Sequence, residues 1–179
     1  MIGEHHRTGN VAARLFMAVL LLLAVQVAAA ARLEPLRDLR VDARHAACRG
    51  QPLVLLFSTE GCSFCRIVRE LYLQPILRDG QYPGIVIREV DTSSKDRVTD
   101  FNGEVVSMQD LAYRYDTWLV PVVVLVDPDG DILANPMVGI SSQDYYGYYL
   151  DEAIVAAGKK VRQKLSGAPS GAPQGYACD

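Results

Sequence analysis

LVLLFSTEGCSFC, residues 53–65, is the stretch on which the fold turns. Leu53 to Phe57 is continuously apolar, as expected of a strand covered on both faces in an α/β sheet. It runs directly into a C-x-x-C, Cys62 and Cys65. Beyond the motif, Phe64, Ile67, Val68 and Leu71 recur at helical spacing, which predicts a helix that Pro75 interrupts or kinks. The cysteines therefore sit where a strand gives way to a helix N-terminus. A free cysteine, with a pKa near about 8.5, supplies little thiolate at neutral pH. The unpaired N–H groups and partial positive charge of a helix N-terminus stabilise the anion. Cys62 is expected to be the nucleophile. Cys65, one turn further on the same face, is expected to be the resolving thiol.

Upstream, Leu36, Leu39, Ala43 and Ala46 alternate with Arg37, Asp38, Arg40 and Asp42, which predicts an amphipathic helix over 36–47, ended by Gly50 and Pro52. Downstream, Ile85 to Val90 (IVIREV) reads as a strand, and Asp91 to Gly103 as loop with at most a helical turn. Ser107 followed by Asp110 resembles a capping box, with Met108, Leu111, Ala112 and Tyr115 as the helical face. Val120-Pro121 then leads an apolar strand, Val122 to Val126, which stops at the turn Asp127-Pro128-Asp129-Gly130. Ile132 to Ala134 is expected to be its hairpin partner. Ser141 with Asp144 repeats the capping signature, and Leu150, Ile154, Ala157, Val161 and Leu165 sustain a closing helix. From Gly167 the sequence becomes GAPSGAPQG, too poor in apolar groups to offset its ordering entropy.

At the other end, Arg7 and Arg14 precede an apolar run from Leu15 to Val25 and the small residues Ala28 to Ala31. That layout is a secretory signal peptide, with cleavage expected after Ala30 or Ala31; an uncleaved anchor would tether the same domain to the membrane. The predicted organisation is signal peptide 1–31, one domain at 32–166 and a disordered tail at 167–179. Formal net charge is −3 over 179 residues, and the signal segment carries Arg7 and Arg14 against Glu4. With no basic run, nucleic acid is not an expected partner. Cys48 and Cys62 flank the central strand, about 20 Å apart at 3.3 Å per residue, and should not pair. Cys178 could reach Cys48 or another molecule, or stay free.

The order helix, strand, C-x-x-C helix, strand, helix, proline-led strand, hairpin strand, helix resembles the thioredoxin fold over residues 36–165. The motifs that carry the likeness are LVLLFSTEGCSFC, WLVPVVVLVD and the D-G turn leading to Gly139. The resemblance implies an α/β fold with a central mixed β-sheet flanked by helices. It also implies a redox-active Cys62–Cys65 disulfide in place of any cofactor or metal. Val120-Pro121 holds the position of the family's cis-proline, so Val120, Pro121 and Phe64 are the expected substrate-binding residues. Two departures stand out. Where thioredoxin carries a buried acid on the central strand, this chain has Leu56; Glu60, beside Cys62, is a candidate acid/base, with a solvated charge as its bland reading. And 59 positions separate Cys62 from Pro121, with extra residues around Phe101 to Asp110, as in exported members of the family. Arg66 and Arg69 are expected to face solvent. Trp118 and the cluster Tyr145, Tyr146, Tyr148 and Tyr149 are expected mostly to be ordinary packing, with Phe64 the exception.

The function expected is an exported, monomeric thiol-disulfide oxidoreductase that reduces disulfides in periplasmic clients and is recharged by a membrane electron donor. Ser63-Phe64 between the cysteines is nearer the small-aromatic pair of exported isomerases and reductases, and the chain lacks a dimerisation domain. A disulfide oxidase or isomerase is the alternative within the class. A copper metallochaperone and a binding module with an inert disulfide are the alternatives outside it. A zinc site or cysteine-histidine hydrolase lacks ligands, since only His45 remains after signal removal.

Overall fold

The computed structural model describes residues 33–167. The expected signal peptide and the tail beyond Gly167, Cys178 included, lie outside them. Two strands that are apolar and buried at nearly every position build the centre. β2 (Leu53–Ser58) and β6 (Val122–Val126) pair antiparallel, Leu53 against Val126 and Phe57 against Val122. β3 (Val86–Asp91) runs parallel to β2 on its other side, placing Glu89 opposite Leu56. Edge strands β1 (Glu34–Pro35) and β7 (Met137–Val138) complete the order β1-β3-β2-β6-β7.

Alternation along the strands divides the core between the two sheet faces. Leu53, Leu55 and Phe57 pack beneath α1 (Leu39–Cys48). Val54 and Leu56 face α2, the helical run of 63–78. Leu111 and Ala112 of α3 (Met108–Arg114) join the first cluster. Leu150, Ile154, Ala157 and Val161 of α4 (Gln143–Gly167) join the second, as their spacing predicts. The Ser107 cap also forms as read, with Asp110 N–H donating to Ser107 Oγ at 3.0 Å.

Several local expectations are corrected. α1 begins at Leu39, because the Asp38 carboxylate accepts from the N–H groups of Arg40 and Val41; residues 34–35 before it are spent on the edge strand. The polar 91–103 loop contains β4 (Arg97–Thr99), which pairs with β5 (Val105–Ser107) as a separate two-stranded sheet; three-residue strands leave too short a pattern to read. Ile132 makes only an isolated bridge to Val126, and the hairpin partner of β6 is Met137–Val138. The reason is the turn: the Asp127 carboxylate accepts from the N–H groups of Asp129 and Asp131, curling the chain inward, and Pro136 has no N–H to offer a ladder. α4 begins at Gln143, with Tyr146 N–H bonding Ser142 O, so Ser141 falls outside its first turn.

The face of α2 also differs. It runs as α-helix over Ser63–Ile67, π-helix over Val68–Leu73 and α-helix over Gln74–Arg78. A proline at 75 lacks an N–H and crowds the carbonyl four residues earlier; the wider π turn just before it absorbs both problems without ending the helix. The extra residue rotates the stripe. Cys65, Val68, Leu73 and Ile76 are buried, whereas Phe64 and Leu71 point to solvent.

The β4–β5 hairpin is locked by buried Asp100, whose carboxylate accepts from the N–H groups of Asn102 and Glu104 at 2.9 and 2.8 Å and pairs with Arg114. Burial alone would push this carboxyl up, but Arg114 and the two N–H groups together hold it below the ordinary value. A depressed carboxyl stabilises the fold above its unfolded pKa of about 3.9 and loses that contribution as pH falls through the folded value. Asp100→Asn should therefore lower stability near neutral pH and show a shallower loss between pH 5 and pH 2 than the wild type, measured by urea denaturation across that range.

Candidate active site

The loop after β2 delivers Cys62 to the first position of a helix. Gly61 adopts φ +74°, a region that L side chains resist, and Cys62 N–H reaches back to Thr59 O at 3.4 Å. Cys62 is the N-cap of α2: its Sγ accepts from Cys65 N–H at 3.1 Å, with the backbone there extended. A disulfide joins Cys62 to Cys65 across a Cα separation of 5.3 Å. Exposure separates the pair, since Cys62 is part-exposed and Cys65 has 0% of its surface in solvent. A client can therefore meet the sulfur of Cys62 and not that of Cys65.

The second element is the residue pair before β6. The Val120-Pro121 peptide bond is cis. Because Val122 pairs with Phe57, Pro121 lies at the edge of the sheet from which the Thr59–Cys62 loop departs. Gly139, at φ +65°, donates its N–H to Pro121 O at 2.8 Å and so ties the segment after β7 to this loop. Phe64 is 58% exposed between the cysteines; Trp118 and Leu119, just before Val120, are 69% and 72% exposed. Trp118 packs against Tyr113 with ring centres 5.0 Å apart and the planes tilted by 49°, and its indole N–H meets the Asp116 carboxylate. The expectation of ordinary packing fails for Trp118 and for Tyr145, Tyr148 and Tyr149, which face solvent; of that cluster only Tyr146 is buried, on the stripe of α4 it shares with Leu150 and Ile154.

Residues 39–154 match the model of the thioredoxin-like domain family. The chain belongs to that family. No curated protein is significantly similar to it in sequence. Among solved structures, it is similar to the C-terminal domain of DsbD from Neisseria meningitidis in the oxidised form, at 19% identity over 67% of this chain and 99% of that one, with a TM-score of 0.45. It is also similar to oxidised mitochondrial thioredoxin 3 from Saccharomyces cerevisiae, at 18% identity over 69% and 93%, TM-score 0.43. Thioredoxin O2 from Arabidopsis thaliana in its oxidised state matches at 16% over 75% and 95%, TM-score 0.45. A thioredoxin-like domain carrying a cysteine pair at this strand-helix junction is a thiol-disulfide oxidoreductase.

Of the charged groups around the motif in this thioredoxin-like domain, Arg66 faces solvent as expected and Arg69 departs from expectation. Glu60 and Arg66 are exposed. Arg69 does not face solvent: it makes a two-pronged pair with Glu89 of β3, Nε to Oε2 at 2.8 Å, and Ser58 Oγ donates to the same carboxylate at 2.5 Å. Leu56, opposite Glu89 in register, is fully buried. Glu89 was missed in sequence reasoning, although a signal existed. Two adjacent charges inside IVIREV must point to opposite faces, and each then needs a partner. Arg88 finds Asp42 of α1 on one face at 2.7 Å, and Glu89 finds Arg69 of α2 on the other. The three carboxylates of Asp127, Asp129 and Asp131 converge as a metal site would, but the Lys164 ammonium already lies 2.5 and 2.6 Å from the first two. Cys48 is not a free thiol and is not bonded to Cys62. In the reduced protein, iodoacetamide should label Cys62 at least about tenfold faster than buried Cys65, since the thiolate and its access both govern the rate; peptide mapping after a brief pulse checks this, and equal labelling contradicts the assignment of roles.

Proposed function

We propose that this thioredoxin-like domain is an exported disulfide reductase that acts on periplasmic client proteins. The observation that carries the reading is the asymmetry of the pair, with Cys62 part-exposed at the helix end and Cys65 sealed behind it. In the reduced protein, the Cys62 thiolate attacks one sulfur of a client disulfide, and the other client sulfur leaves with the electron pair. Cys65 then attacks Cys62, the client's remaining sulfur departs, and the Cys62–Cys65 disulfide forms as the client gains two electrons and two protons. Cys62 is the nucleophile and Cys65 the resolving thiol.

Exposed Phe64 and half-buried Val120 suit an extended client strand, with Phe64 as an apolar contact and the backbone beside the cis bond as the hydrogen-bonding partner; the ring of Pro121 is itself buried, so its part is to set that backbone. Glu60, exposed beside Cys62, is placed to exchange protons with solvent there. The arginines, apolar run and small residues of 7–31 support export, and a membrane electron donor would restore the dithiol. The domain acts as a monomer.

Three measurements test this. The Cys62–Cys65 couple should have a reduction potential below the roughly −180 to −210 mV of oxidising compartments; a value well above that range points to an oxidase. Cys62→Ser should abolish insulin reduction, and Cys65→Ser should accumulate client mixed disulfides on Cys62, identified by mass spectrometry of trapped periplasmic proteins.

A further inference from the structure

The redox pair uses two of the four cysteines, and a third is spoken for at the far end of the central strand. Cys48, the last residue of α1, is disulfide-bonded, and not to Cys62 or Cys65, which are joined to each other. The sequence holds one other cysteine, Cys178. Packing of the closing helix brings the start of the C-terminal tail within reach of Cys48. Gly158 of α4 lies so near the turn between α1 and β2 that a Cβ on it would stand 3.1 Å from Gly50 O. One turn further, Arg162 Nη1 donates to the same oxygen at 2.8 Å. Ala47, beside Cys48, shares a core cluster with Ala157 and Val161, and Leu165 packs against it. α4 ends at Gly167, nine residues past Gly158 and about 14 Å along the helix axis. From there eleven positions lead to Cys178, a reach of at most about 40 Å. Cys48 itself is half-buried, with part of its surface open to a partner arriving from outside the core.

We propose that Cys48 and Cys178 of the same chain form a second disulfide, which clips the C-terminal tail to the corner between α1 and β2. The bond forms by exchange. The Cys178 thiolate attacks a disulfide of glutathione or of another protein, and one sulfur of that oxidant leaves with the electron pair. The Cys48 thiolate then attacks Cys178, and the oxidant's second sulfur departs. The oxidant ends as two thiols, holding the two electrons and two protons that the cysteines gave up. The corner stands at the start of β2 and the redox pair lies beyond its end, so six strand residues at about 3.3 Å each keep the two disulfides roughly 20 Å apart. Unbonded, a tail of this length is long enough to carry a third thiol past β2 toward Cys62; clipped, it is held at the opposite end of the strand. The four cysteines thereby divide into a structural pair and a redox pair, a division that stands whichever way electrons flow through Cys62–Cys65. A structural disulfide persists in oxidising compartments and is rare beside cytosolic reductants, which accords with the export proposed above.

The test maps the bonds of the full-length chain. Fully reduced protein is equilibrated with a glutathione redox buffer, remaining thiols are blocked with N-ethylmaleimide, and tryptic peptides are identified by mass spectrometry without reduction. From the monomer, residues 45–49 should be recovered joined to residues 165–179, with residues 50–66 carrying the Cys62–Cys65 bond alone. The same link should form in Cys62→Ser/Cys65→Ser, so failure of the reductase reading leaves it standing. In Cys48→Ser, Cys178 should carry glutathione instead. Folding replaces the 130-residue separation of Cys48 and Cys178 with a short tether. Native protein should therefore need at least about tenfold less glutathione disulfide for half-formation of the bond than protein in guanidinium chloride. Recovery of both Cys48 and Cys178 bearing glutathione or N-ethylmaleimide in the native wild type overturns the proposal. So does a bond from Cys178 to Cys62, a 45–49 to 165–179 link confined to covalent dimers, or half-formation at the same glutathione disulfide concentration in native and denatured chains.

Discussion

The contact between Cys62 Sγ and the N–H of Cys65 concentrates what the rest of the molecule exists to provide. A sulfur placed at the first position of a helix feels several unpaired N–H groups at once, and that field favours the anion over the thiol. The same contact forces an asymmetry. The residue donating its N–H lies one turn inside the helix and has no surface in solvent. One sulfur is thereby presented and the other withheld, and the proposed division into an attacking and a resolving thiol rests on that difference.

Holding that contact in place requires a rigid platform. β2 and β6 are apolar at every position but Ser58 because both faces of the sheet are covered, so their register is determined by burial on two sides. The register brings the end of β2 and the start of β6 to the same edge. From that edge leave the loop that ends at Cys62 and the Val120-Pro121 segment, the latter pinned by Gly139. Opposite-facing charges on β3 brace the platform from within: Arg88 ties the sheet to α1 through Asp42, and Glu89 ties it to α2 through Arg69. The π turn in α2 belongs to the same scheme. It accommodates Pro75 while keeping the helix continuous, and within it Arg69 meets Glu89 as Leu71 is turned outward.

Much of this was legible from residue pattern alone. The apolar runs at 53–57 and 122–126, the cysteines between strand and helix, the proline leading a strand, the Ser107 cap and the long closing helix all announce themselves, because each depends on nearby residues and a period of two or 3.6. The strand, C-x-x-C, helix order follows from them, and the architecture follows from the resemblance to the thioredoxin fold which that order carries. What could not be read depends on partners distant in sequence or on strands too short to show a period. β1, β4 and β5 have two or three residues each, and β7 pairs where it does because an aspartate-centred turn delays the chain.

The sequence by itself determined that a central two-sided sheet carries a C-x-x-C at a helix N-terminus, since solvent exclusion and helix periodicity act over neighbouring residues. Only the tertiary structure decided which charges stand beside that motif. Arg69 sits on a helix whose face was rotated by a π turn, and Glu89 on a strand twenty residues away, joined through space at hydrogen-bonding distance. Periodicity reports which way a side chain leans; it carries no information on what waits there, because a buried charge is stabilised by whichever opposite charge the packing of separate elements brings to it.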